Sequence, residues 1–245
     1  MPPPVTVEDA RFNLVKEQLA AQLKQAVMDG RLLPGQRVIE ATWAREFGVA
    51  QASVREAINL LVSEGFLVKD AGRSGRVVDY KEQDVKRIFE VRSALEGLAA
   101  QIACETEADL SGMESAFERM SASIDRGDIR SVLESDLEFH LALAEASGNT
   151  LLIEMLRRLL SPLFAFILIR VLKSGQRPEP WKSDLPRHLA IIQMIHEGNP
   201  SVAAQYVRHS ISRFERSAYA VWENVPGAVD AHKTGKSDRK ARQGI

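Results

Sequence analysis

The stretch from Arg37 to Val78 reads RVIEATWAREFGVAQASVREAINLLVSEGFLVKDAGRSGRVV, and its periodicities leave few folds open. A short helical pattern over Ala41–Phe47 meets a tight turn at Gly48-Val49, and a longer helical pattern runs from about Ala50 to Glu64. In that second helix Val54, Ala57, Ile58 and Leu61 recur at i, i+3, i+4 and i+7, one apolar stripe on a 3.6-residue period. Two β-type runs follow, Phe66–Val68 and Arg76–Val78, around a loop containing Gly72 and Arg73. Helix, turn, helix and wing in this order set one helix into the major groove of DNA.

Recognition helices touch bases with their N-terminal residues. Gln51, Ala52, Ser53 and Arg55 lie off the apolar stripe at that end of the second helix. Arg55 suits guanine or a phosphate, Gln51 suits adenine, and Ser53 can donate to a phosphate. Gly72, Arg73 and Arg76 set a wing against the DNA backbone or minor groove. Any one of these residues alone reads equally well as a solvated surface group; the arrangement carries the expectation. Residues 1–79 hold ten Lys/Arg and ten Asp/Glu, so charge facing DNA must be local.

From Asp84 onward no strand pattern occurs. Helical runs are expected over roughly 84–106, 109–126, 129–146, 149–173, 182–197 and 200–223, with Pro162 kinking or splitting the fourth. The fold class expected is mainly α: a winged helix-turn-helix over 9–79, then an all-α bundle of six to seven helices over 84–223. The residues before about 9 and the tail over 226–245 have few apolar side chains and are expected to be disordered. The single cysteine, Cys104, rules out an intrachain disulfide and reads as a small core residue. No signal-peptide pattern opens the chain, and the most apolar stretch, Leu159–Ile169, is too short to span a bilayer. A cytoplasmic protein with no membrane partner is the expectation.

The chain has five histidines. Asp136 and His140 stand at i and i+4 on one helix face, where they can share an ion. His188 and His209 lie on successive helices around the Gly198-Asn199-Pro200 turn, eleven residues before Asn199 and ten after it, at about the same height if the helices are antiparallel. One carboxylate and three imidazoles would suit Zn²⁺, Ni²⁺ or Mn²⁺ with open positions. Core or surface histidines remain the plainer reading of each residue by itself.

Two resemblances bear on these expectations. Residues 14–79 resemble the winged-helix domain of the GntR family of bacterial transcription regulators, through Gly30-Arg31-Leu32-x-Pro34-Gly35, Glu40, Gly48-Val49, Val54-Arg55-Glu56-Ala57, Leu61 and Glu64-Gly65. That resemblance implies DNA contact at Gln51, Ala52, Ser53, Arg55 and Gly72. Ala50, Gln51 and Ala52 stand where the family commonly has Ser or Thr, Arg and Thr, so a charged base contact is missing. Residues 84–223 resemble the FCD effector domain of the FadR-like subgroup, through Arg92-x-x-Leu95-Glu96, Asp136-x-x-Phe139-His140, Ser147-Gly148-Asn149, His188 and His209. This second resemblance implies a divalent metal at Asp136, His140, His188 and His209, and a small organic acid effector. Arg92 could clamp the acid's carboxylate, or it could form a surface ion pair with Glu96. The expected protein is a homodimeric regulator, a repressor in the commoner case, on a palindromic operator. The alternatives are a sensor of the metal itself, a metal that is only a structural staple, and a metal-dependent hydrolase. The last is disfavoured because no separate general base is offered and Glu138 points off the Asp136/His140 face.

Overall fold

The computed structural model describes residues 7–69, 74–174 and 182–223. The head begins with α1 (Val7–Met28), then β1 (Arg37–Val38), α2 (Glu40–Phe47), α3 (Gln51–Ser63), β2 (Leu67–Lys69) and β3 (Gly75–Val77). α1 starts earlier than the apolar spacing from Phe12 indicates. The stripe expected on α3 is its buried face: Val54, Ala57, Ile58 and Leu61. α2 and α3 are joined through Gly48, whose φ of +67° lies in the left-handed region where a side chain is strained. The strands form an antiparallel sheet ordered β1-β3-β2. β1 has no counterpart in the sequence reading. A two-residue strand has no periodicity to detect and exists because Arg37 and Val38 pair with Arg76 and Gly75.

Six described helices make the second unit: α4 (Glu82–Glu105), α5 (Ser111–Arg126), α6 (Ile129–Ala146), α7 (Thr150–Ser174), α8 (Leu185–His196) and α9 (Pro200–Glu223). Their apolar faces meet in one core that includes Phe89, Met113, Phe139, Leu156, Leu163 and Val207. α9 lies close along α4, and Gly97 permits the approach. A Cβ there would stand 2.6 Å from Nε and 2.8 Å from Cγ of Arg208. Cys104 is a buried free thiol of this core, and burial raises its pKa.

α7 departs from expectation. It runs unbroken through Pro162 rather than splitting. Leu163 to Ile169 are seven consecutive buried residues, so this part of the helix is enclosed on every side. One side enters the bundle core through Leu163, Phe164, Ile167 and Leu168. The other places Ala165 and Ile169 in the core of the head, beside Leu19, Leu23 and Phe66. This two-sided burial offsets the roughly 3 kcal/mol that an interior proline costs a helix. The apolar run Leu159–Ile169, too short to span a bilayer, thus belongs to the helix both units share. Among the described residues, no helix is long and apolar enough to cross a membrane. The tail over 226–245 lies outside the described residues.

Candidate functional site

Two places carry functional side chains. At the first turn of α3, Gln51 and Ala52 are exposed, and Ser53 and Arg55 are half-buried. Ala50 takes the N-cap position with extended backbone and makes no side-chain cap bond. Arg55 is held rather than free. Its Nε donates to both oxygens of Glu40 at 3.1 and 3.2 Å, and its Nη2 donates to Oε2 at 2.8 Å. That hydrogen bonding to Glu40 raises the pKa of Arg55. A carboxylate on the Nε–Nη2 edge aims the guanidinium and leaves the Nη1 end for a further acceptor. Glu40 stands fifteen residues away, and no local pattern announces the pair. Arg76 donates from Nη1 to the Gly35 carbonyl at 2.6 Å and so ties the wing to the head. Gly72 and Arg73 lie outside the described residues.

The second place is inside the bundle. α6 supplies Asp136 and His140, α8 supplies His188, and α4 supplies Arg92 and Glu96, all buried. Asp136 Oδ1 lies 3.2 Å from His140 Nε2 and 3.0 Å from His188 Nε2. The other ring nitrogens are engaged from behind. His140 Nδ1 is 2.5 Å from Glu96 Oε2, and His188 Nδ1 is 3.1 Å from the Asp184 carbonyl oxygen. A carbonyl can only accept, so His188 Nδ1 holds the proton; the Glu96 carboxylate gives His140 the same tautomer. In the neutral rings both Nε2 lone pairs then face Asp136 Oδ1. Three electron-rich atoms that close repel unless positive charge lies among them. Protons on both rings would supply it, and so would a divalent cation. An ion bound at ~2.0–2.2 Å sets its donors roughly 3 Å apart, the spacing seen here. Glu96 and the Asp184 carbonyl are the outer partners that metal-binding histidines typically have.

Without an ion, the electrostatics favour protons on both rings. Burial by itself would raise the Asp136 carboxyl, but hydrogen bonds from His140 and His188 outweigh it and hold Asp136 far below the usual carboxylate range. Burial likewise opposes ionisation of Glu96, which Arg92 and His140 nevertheless keep ionised. Burial would lower His140, but the attraction of Glu96 leads the effects that raise it.

His209 is not part of this group. Asp136, His140 and His188 converge, whereas His209 is exposed. The neighbouring Ser210 is buried and lines the cavity beside Arg92 and His188. The antiparallel count gives height along α9 but not direction around it. One residue is about 100° of rotation on a helix of 3.6 residues per turn.

Arg92 is no surface residue. It is 1% exposed, and its Nε donates to Glu96 Oε1 at 2.6 Å. Its guanidinium carbon lies 5.3 Å from the Phe89 ring centre and 5.4 Å from that of Phe164. Nη1 is buried without a hydrogen-bond partner. Such a group costs free energy unless something accepts from it. Arg187, in contact with Asp184, adds a second guanidinium to the cavity lining. The cavity itself has a volume of about 20 Å³, room for an ion or a water.

Comparison with known proteins bears on both places. Residues 15–77 match the model of bacterial regulatory proteins of the gntR family, and residues 87–213 match the FCD domain. The chain belongs to the GntR family of bacterial regulators. It is 25% identical over 224 residues to a probable D-xylose utilization operon transcriptional repressor of Paenarthrobacter nicotinovorans, covering 89% of this chain and 97% of that one. It is also 25% identical over 226 residues to the Glc operon transcriptional activator of Escherichia coli K12, covering 84% and 89% respectively. In fold it is similar to E. coli McbR/YncC, with a TM-score of 0.71 at 20% identity over 85% of this chain and 98% of that one. The first two relatives are named as a transcriptional repressor and a transcriptional activator. The GntR chain is accordingly a transcription regulator whose head implies DNA binding and whose FCD bundle implies effector binding.

Proposed function

We propose that this GntR regulator acts as a homodimer on a palindromic operator, and that a metal-assisted carboxylate site in its FCD bundle governs that binding. The observation that carries the reading is Arg92 Nη1, buried and unpartnered next to the Asp136–His140–His188 donors. A carboxylate accepting from Arg92 could place its other oxygen toward a divalent ion held by those three residues. Zn²⁺, Ni²⁺ and Mn²⁺ all suit a carboxylate with two imidazoles and open positions. Gln51, Ala52, Ser53, Arg55, Gly72 and Arg73 are the proposed DNA-facing residues, with Arg55 aimed by Glu40. His209 has no part in the metal site.

A second reading has a specific observation in its favour. A cavity of about 20 Å³ takes an ion but not the body of an organic acid. The two readings differ in what moves the head: if the ion alone changes operator affinity, the regulator is a metal sensor. If an acid is the signal, its entry must part Ile191 and Ile211, which also line the cavity. That displacement would be the event passed on to the head. The test is operator binding by full-length protein, measured metal-free, with Zn²⁺ or Ni²⁺, and with metal plus a panel of small organic acids. Acid-dependent affinity that disappears in Arg92→Met supports the first reading. A response to metal alone supports the second, and no response in any arm rejects both. The sign of the response separates repressor from activator, and the two named relatives differ in it.

A further inference from the structure

The bundle site is nearly full, yet ligand-sized space exists elsewhere. Between the head and the bundle lies a cavity of about 350 Å³ walled by Met28, Leu133, Leu137, Phe164, Ala165 and Leu168. A second compartment of about 520 Å³ adjoins it, and the two share Lys24, Phe66 and Ser161. Both volumes fall within the ~300–1,000 Å³ of small-molecule pockets, which favour domain boundaries. The inner compartment is lined mainly by apolar side chains, with Lys24, Gln25, Glu134 and Ser161 as its polar members. The outer one carries Lys24, Arg157 and Arg158 against Glu64 and Glu154. Arg157 is bonded to Glu145 at 3.0 Å, and the Lys24 ammonium lies 3.6 Å from Glu64 and 4.2 Å from the Phe66 ring centre. Arg158 is exposed and has no ion pair among the described residues.

We infer that this cleft is a second ligand site, for an amphiphilic monocarboxylate whose apolar body fills the inner compartment and whose carboxylate meets Arg158. Lys24 and Arg157 already answer Glu64 and Glu145, so Arg158 is the base left for a ligand; one such base beside a mainly apolar wall favours a single carboxylate over a sugar or a dianion. The walls belong to both units: Met28 and Phe66 come from the head, Leu133 and Leu137 from α6, and Phe164 and Ala165 from α7. An occupant therefore binds one head-to-bundle arrangement better than others and biases operator binding. Phe164 also forms a wall of the buried polar site, 5.4 Å from the Arg92 guanidinium carbon and 6.2 Å from the His140 ring centre.

The test uses full-length protein and 8-anilinonaphthalene-1-sulfonate as a fluorescent anionic probe, with 4-phenylbutyrate as competitor. One saturable probe site per chain, displaced by the competitor, is expected. Ser161→Trp fills the junction of the compartments and should weaken probe binding at least tenfold. Arg158→Ala, at an exposed position that folding does not depend on, should weaken it about fivefold. Chelation of metal should leave it unchanged. The inference is overturned by the absence of saturable binding, by unchanged affinity in both cleft variants, or by loss of binding on chelation. Conversion of a dimer to monomers by Ser161→Trp in analytical ultracentrifugation would also overturn it, because the cleft would then hold a second copy of the chain.

Discussion

Two arginine–glutamate pairs hold the functional places of this protein, and they do different physical work. Arg55–Glu40 lies at the surface of the head, beside the first turn of α3, with side chains 40% and 11% exposed. Arg92–Glu96 lies in the bundle core, with side chains 2% and 0% exposed. Water reaches the arginine end of the first pair, so Arg55 is oriented without the full desolvation that a buried pair entails. The second has given up its hydration. Glu96 answers both Arg92 and His140, and its loss would leave the buried Arg92 guanidinium and the His140 Nδ1 proton without their acceptor. Similar residues thus make a steerable reader in one unit and a rigid, costly constellation in the other.

The strongest attempt to break this comparison is Glu96→Ala. Removing one partner of a buried charge network costs about 3–5 kcal/mol, so the variant should lose that much in urea unfolding. A loss well under 1 kcal/mol would mean that the network is hydrated and the contrast unfounded. His140→Ala comes next. It should abolish stoichiometric metal in elemental analysis, and full metal content in that variant would count against the site. Arg55→Ala should lower specific operator affinity by roughly tenfold or more, as for loss of one base-reading arginine, with the unfolding midpoint unchanged. Equal operator affinity would remove Arg55 from the reading surface. The smallest effects concern α9. His209→Ala should leave metal content as it is, while Ser210→His, which points a third imidazole inward, should tighten metal binding. The opposite pair of outcomes would restore His209 as a ligand and displace the orientation of α9 described above.

Much of the head is legible because its signals are local. The stripe Val54, Ala57, Ile58 and Leu61, the turn at Gly48 and the weak cap at Ala50 all act within a few residues. Several bundle helices begin or end at Gly, Asn or Pro signals for the same reason, as at Gly127, Gly198 and Pro200. Within the polar site, Asp136 and His140 are one helical turn apart, so their partnership follows from a single helix. The remaining contacts span the chain. Glu96 reaches His140 across 44 residues, and His188 reaches Asp136 across 52. The Arg92–Glu96 spacing is visible, but a surface ion pair and a buried one have the same spacing. What separates them is the packing of Phe89 and Phe164 against the guanidinium.

By itself, then, the sequence determined the kinds and order of the elements, the apolar faces and the chemical types available to each site. Hydrogen bonding and side-chain periodicity act over one or two helical turns and are written in neighbouring residues. Tertiary structure alone decided how each helix is rotated and what both sides of α7 touch. It turned Ser210 inward and His209 out, and it kept α7 continuous through Pro162 between two cores. It also opened the cleft where head and bundle meet. Those outcomes depend on how all the side chains fill space together, and close packing is a property of the assembled whole.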